Sequence, residues 1–225
     1  AAVDIARSAR AEAGREKDAY IALDLGPTGK LLKPMGELDF EDAVSLYAQV
    51  VRIGAAAGAD LVLIETMSDG YEAKAAVLAA KENCDLPVIV TTVYGENGKL
   101  LTGGTVASTV ALLEGLGVDA LGVNCGMGPA QMEPIVKELA ACASLPIVVN
   151  PNAGLPRTEG GKTVFDVGPE EFASVMETLS AYGVHLMGGC CGTTPDHMRS
   201  LSARCRNLRF VPPTDKWRTV VSSYS

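Results

Sequence analysis

Two cysteines stand side by side, Cys190 and Cys191, within HLMGGCCGTTPDH (185–197), and a third, Cys125, closes the run GVNC (122–125). Neighbouring side chains of a regular strand point to opposite faces, so an ordinary core strand gains nothing from adjacent thiols. The flanking Gly188, Gly189 and Gly192 predict a backbone bent so that both sulfurs face one point. Three thiolates at one mouth make a soft site that suits Zn²⁺. Structural zinc is usually closed by four protein ligands, whereas catalytic zinc keeps a position open. No fourth cysteine or well-placed histidine joins these three, which argues for chemistry. Spacing alone also admits a vicinal disulfide or a chance pairing of core cysteines. His185 starts its strand, at the opposite rim, and His197 falls in the next helix as a surface or cap residue. Cys84, Cys142 and Cys205 sit singly in or near helical patterns and read as inert thiols.

The elements that must carry these residues alternate. Six β-rich runs, at 19–26, 60–66, 87–94, 119–125, 146–152 and 184–191, are apolar almost throughout, as in a parallel sheet covered on both faces. Amphipathic segments lie between them. Asp39 is placed to cap the helix that begins FEDAV, with Asp42 three residues on, and Thr194 to cap the helix after the cysteine pair. Pro129, Pro169 and Pro195 fall in first turns. Several helices end in glycine before the next strand, as in AGAD (57–60) and LGVD (116–119). Such a βαβ series fits an open doubly wound sheet or a (β/α)₈ barrel. Polar residues at the strand ends favour the barrel: Asp24, Glu65-Thr66, Thr91-Thr92, Asn124-Cys125, Asn150-Pro151-Asn152 and Cys190-Cys191. Only six strands are visible where a closed barrel needs eight, and the chain opens in mid-helix, so a fragment lacking two strands is expected.

Composition narrows the partners. The 225 residues are 48% hydrophobic and carry a formal net charge of -8. There is no basic run, which disfavours nucleic acid, and no apolar run long enough to span a bilayer. Six cysteines in a chain of this length are no disulfide scaffold, and a reducing, cytoplasmic location is expected.

The motifs GVNCGMGP, NPNAGLP and GGCCGTTPDHM, with GPTGKLLKPMGELDFEDA and IETMSDGYEAKAA, closely resemble those of the homocysteine S-methyltransferase family. The resemblance runs from about residue 19 to about residue 205 and is nearest to the homocysteine-binding domains of cobalamin-dependent enzymes. It implies an α/β fold of (β/α)₈ TIM-barrel type, here incomplete, with six βα units and the first two strands missing. Residues 1–206 would form the barrel and 207–225 a linker toward a following domain, since KWRTVVSSYS (216–225) is similar to the linker ahead of a methyltetrahydrofolate-binding domain. The family's zinc ligands fall on Cys125, Cys190 and Cys191. Its glutamate for the substrate amino group falls on Glu65, and the asparagine of its PNAG motif on Asn152. The family's opening DGAMGT-type strand and loop, part of the homocysteine pocket, is not found here. The implied reaction is zinc-dependent methyl transfer to homocysteine, giving methionine. Methylcobalamin on a partner domain would be the donor, with cobalamin-binding and methyltetrahydrofolate-binding domains of the same polypeptide as partners. Alternatives are a standalone enzyme using betaine or S-methylmethionine, and a zinc-binding fragment that turns nothing over.

The residues also bound that chemistry. A free thiol with pKa about 8.5 is a few per cent thiolate at pH 7, so deprotonation on zinc gains only about thirty-fold. Positioning the sulfur in line with the methyl donor must supply most of the rest. Zinc with three cysteinates has formal charge -1, which limits the loss of nucleophilicity. Glu65 could instead pair with a neighbouring lysine, and Asn152, between Pro151 and Gly154, is also a natural turn residue.

Overall fold

A computed structural model describes residues 1–209, 211–216 and 219–222. Six parallel strands form one sheet: β1 (Ala22–Leu25), β2 (Leu61–Met67), β3 (Val88–Thr92), β4 (Ala120–Asn124), β5 (Ile147–Asn150) and, after a short hairpin, β8 (Val184–Met187). The sheet order is β1-β2-β3-β4-β5-β8, so every new strand is added on the same side as the last. A doubly wound sheet reverses direction at a switch point; this one does not, and its winding is that of an incomplete (β/α)₈ barrel.

Helices fill the crossovers: α2 (Phe40–Ala56), α3 (Gly70–Asn83), α4 (Val106–Gly115), α5 (Pro129–Cys142), α6 (Pro169–Ser180) and α7 (Pro195–Cys205), with α1 (Ala2–Glu12) ahead of β1. Alternate strand residues Val62, Ile64, Val88, Val90, Leu121, Val123, Ile147 and Val149 are buried in one cluster with helix residues such as Val51, Val110, Leu139 and Phe172. The opposite, concave face is covered in the middle and open toward the edges. All of β4 is buried, whereas Ala22 and Asp24 on β1 and Leu186 on β8 are exposed. Among the described residues β1 and β8 each pair with a single strand of this sheet.

The proline and Thr194 expectations hold: Pro129, Pro169 and Pro195 open α5, α6 and α7, and Thr194 occupies the N-cap of α7. Asp39 differs. It sits at the N-cap of α2, but its carboxylate accepts from Lys33 Nζ at 2.9 Å and makes no capping bond to the helix. An ammonium within reach outcompetes neutral backbone N–H groups for the same oxygen.

One element was not foreseen. Arg157–Glu159 (β6) and Lys162–Val164 (β7) pair antiparallel around Gly160 and Gly161, both with positive φ. The signal was present: a Gly-Gly pair between RTE and KTV is a two-residue hairpin turn. The loop after β1 is pinned from the helical layer. Buried Glu72 on α3 accepts from Thr28 N (2.7 Å), Thr28 Oγ1 (2.6 Å) and Tyr47 Oη (2.9 Å).

Candidate metal centre

The three cysteines meet. Cys125 Sγ lies 3.8 Å from Cys191 Sγ, Cys190 Sγ lies 4.0 Å from Cys191 Sγ, and all three sulfurs fall within 4.8 Å of one another. Among the described residues no histidine, aspartate, glutamate or fourth cysteine joins the group. Cys84, Cys142 and Cys205 lie apart from it, half-buried against the hydrophobic core.

Backbone geometry brings the sulfurs together. Cys125 takes the left-handed conformation, φ 58°, which costs a non-glycine residue roughly 1–3 kcal/mol and persists only where surroundings enforce it. Gly192 alone among the glycines beside the pair has positive φ, at 79°. A Cβ there would also strike the Phe165 ring. Gly188 and Gly189 serve close approach instead, since a Cβ would meet Asn150 Oδ1 at 2.7 Å or the Thr193 side chain.

Three consecutive residues at the end of β5, Asn150 to Asn152, act as a ledge for all three cysteines. Cys125 N donates to Asn150 O at 3.0 Å, Cys190 N to Pro151 O at 2.8 Å, and Cys191 N to Asn152 Oδ1 at 3.0 Å. Asn152 is buried, its own N–H donates to Met127 O, and Ala153 N donates to Cys191 O. In this structure its carboxamide oxygen holds the cysteine loop, while its side-chain N–H₂ has no partner among the described residues.

Burial raises the Cys190 thiol, pushed up to about 12, with the neighbouring Cys125 and Cys191 charges adding to the effect. Cys191 is raised by burial and then by Cys125. Three sulfurs this close cannot all ionise without a cation between them. The spacing suits one: sulfurs on a tetrahedral Zn²⁺ with bonds of about 2.3 Å stand about 3.8 Å apart. The donor set therefore fits zinc, a soft, borderline cation that prefers thiolates.

Glu65 lies near the end of β2, half-buried, and no lysine or arginine pairs with it among the described residues. Its carboxyl is raised first by burial and then by the charge of Asp24. Burial raises Asp24 as well, although that side chain keeps contact with solvent. Asp24, in the sequence only a strand-end residue, stands near enough for its charge to act on Glu65.

Asn124 was likewise noticed only as a strand-end polar residue. It is fully buried, and its side chain reaches Thr66, Thr91 and Cys190. The two histidines are structural. His185 Nδ1 accepts from Ile147 N at a ladder irregularity between β5 and β8. His197 serves the α7 cap, as expected, through Thr194, but it is buried against Phe172 rather than on the surface.

The family model for homocysteine S-methyltransferase matches residues 1–205. The chain is 35% identical over 215 residues to a methionine synthase of Mycobacterium leprae, covering 92% of this chain and 18% of that protein. It is 32% identical over 226 residues to the methionine synthase of Mycobacterium tuberculosis, covering 97% of this chain and 19% of that one. The chain thus spans about a fifth of the length of these relatives. Among solved structures, the metallated homocysteine methyltransferase MmuM from Escherichia coli superposes with a TM-score of 0.73 at 27% identity, over 90% of this chain and 68% of that one.

Proposed function

This chain belongs to the homocysteine S-methyltransferase family, and from that premise we propose that it is the homocysteine-activating module of a methionine synthase. The supporting observation is the three-sulfur cluster at the strand ends, which no fourth protein donor closes among the described residues. Cys125, Cys190 and Cys191 would hold Zn²⁺. Bound there, the metal supplies a position at which a substrate thiol ionises at neutral pH.

The chain's own residues do the rest. The ledge at Asn150-Pro151-Asn152 fixes the cysteine backbones, so the sulfurs need no reorganisation to meet a cation. Glu65, with Asp24 beside it, receives the homocysteine ammonium, and Asn152 offers its free amide N–H₂ to the substrate. Holding the amino acid at both ends aims its sulfur at the methyl donor, where fixed geometry contributes most of the rate. Methylcobalamin on another domain of the same polypeptide is the donor in this reading. A methyltetrahydrofolate-binding domain would lie beyond the barrel of residues 1–206 and the linker 207–225. Of that linker, Phe210, Trp217, Arg218, Ser223, Tyr224 and Ser225 lie outside the described residues. No helix among the described residues is long and apolar enough to cross a membrane.

The test combines metal content with donor choice. One zinc per chain is expected, lost in Cys125→Ala, Cys190→Ala and Cys191→Ala and kept in Cys84→Ala, Cys142→Ala and Cys205→Ala. Homocysteine should demethylate methylcobalamin in the presence of the protein. Turnover with betaine or S-methylmethionine but not methylcobalamin would replace the donor, and full zinc in Cys190→Ala would remove the metal assignment.

A further inference from the structure

Strand β2 contains an irregularity where the site needs it. Ile64 pairs with Val90 and Met67 with Thr92, so β2 spends three residues where β3 spends two. The extra residue is a bulge, a device that re-aims side chains at sheet ends. It breaks the alternation of β2: Glu65 and Thr66 are both half-buried. Thr66 has φ 62°, a conformation that a β-branched residue rarely adopts.

The carboxamide of Asn124, two strands away, holds that conformation. Its Oδ1 accepts from Thr66 N at 2.9 Å and from Thr91 Oγ1 at 2.8 Å. Its Nδ2 donates to Thr66 Oγ1 at 2.7 Å and points to Cys190 Sγ at 3.8 Å. Both lone pairs and both amide hydrogens are thereby used. The orientation is fixed by chemistry, because a flipped amide would set N–H₂ against the Thr66 N–H.

We propose that Asn124 is a positioning residue that joins the ammonium site to the thiol cluster. One buried amide locks the β2 bulge that presents Glu65, and the same amide donates to the sulfur of Cys190. This deepens the methyltransferase reading and rests on it for the identity of the ligand. The consequence is that homocysteine recognition and metal retention share a single side chain that touches neither substrate nor metal.

The experiment uses Co²⁺ in place of zinc, whose sulfur-to-metal and d–d bands report thiol binding without turnover. Homocysteine and propanethiol are titrated against the parent, Asn124→Ala, Glu65→Gln and Asn124→Ala/Thr66→Gly. The parent should prefer homocysteine. Asn124→Ala should lose that preference to the level of Glu65→Gln although Glu65 is intact. Adding Thr66→Gly should restore it, since glycine adopts the left-handed conformation unaided. Zinc affinity, measured by chelator competition, should fall ten- to hundred-fold in Asn124→Ala, the usual loss when a partner of a metal ligand is removed, and Thr66→Gly should not recover it. Rescue of preference without rescue of affinity is a pattern that general misfolding does not produce.

Undiminished preference in Asn124→Ala, or no rescue by Thr66→Gly, would overturn the proposal. Should the parent itself fail to prefer homocysteine, the substrate reading falls. The zinc competition then decides alone: an unchanged affinity removes Asn124 from the metal site, and a tenfold loss keeps it there.

Discussion

Glu65 and Asp24 hold their protons more tightly in the folded chain than a free carboxyl does, because burial disfavours the charge of both and the Asp24 charge adds to the effect on Glu65. The folded chain therefore binds more protons than the unfolded one between the two pKa values, and stability falls as pH rises through the folded value. Below the unfolded value, about pH 4, both states are protonated and the penalty is absent. Glu65→Gln should accordingly raise the urea midpoint of the metal-free protein at pH 7 and leave it unchanged below about pH 4. Equal midpoints at both pH values would mean that Glu65 has a partner cation after all. Much of this site is legible as residue types: the cysteine pair, the third cysteine and the strand-end glutamate all stand out in the sequence. The Asn124 amide does not, because its three partners lie at separations of 33 to 66 positions, and nothing local marks an asparagine that will be buried.

At the scale of elements, the strands were legible because a sheet covered on both faces writes itself as continuous apolar runs. Bounds shifted by at most four residues, most at the end of β8, where the glycines and Cys190-Cys191 lie beyond the ladder. The β2 bulge was hidden: a single extra residue in an apolar run leaves no trace until the partner strand fixes the register. Two loops invite tests. Gly192→Ala puts a Cβ on a left-handed backbone and into the Phe165 ring, and should cost more than about 1 kcal/mol. It should also weaken zinc binding, whereas Gly168→Ala, where a Cβ meets open space, should not. Chelator competition on both variants checks this. Glu72→Ala strips two hydrogen bonds from Thr28 in the loop after β1 and one from Tyr47 on α2, orphaning Thr28 N while the Tyr47 hydroxyl keeps Gly26 O at 3.2 Å. A loss of roughly 1–3 kcal/mol is expected, read by denaturant unfolding, with zinc content unchanged because the cysteines lie on other loops.

Over the whole molecule, the arc carries its thiols just beyond β4 and β8 and its carboxylates on β1 and β2. The outermost strands have one partner each among the described residues. A polypeptide that adds two further βα units should pair those edges and bind homocysteine more tightly than residues 1–225 alone, with the same zinc stoichiometry; calorimetry on both lengths measures it. The ledge at the end of β5 also sets a timetable. Chains emerge from the ribosome from the N-terminus at about 5–20 residues per second. Cys125 and its Asn150 acceptor are therefore made well before Cys190 and Cys191, which wait for another forty residues of hairpin, helix and strand. Until then the nascent chain exposes one sulfur of the trio, and a lone thiolate is a poor trap for any metal. Loading must therefore wait until the loop after β8 has left the ribosome, when all three sulfurs can meet one cation. Ribosome-stalled chains ending at residue 180 should take up no zinc, while chains long enough for α7 to emerge should take up one.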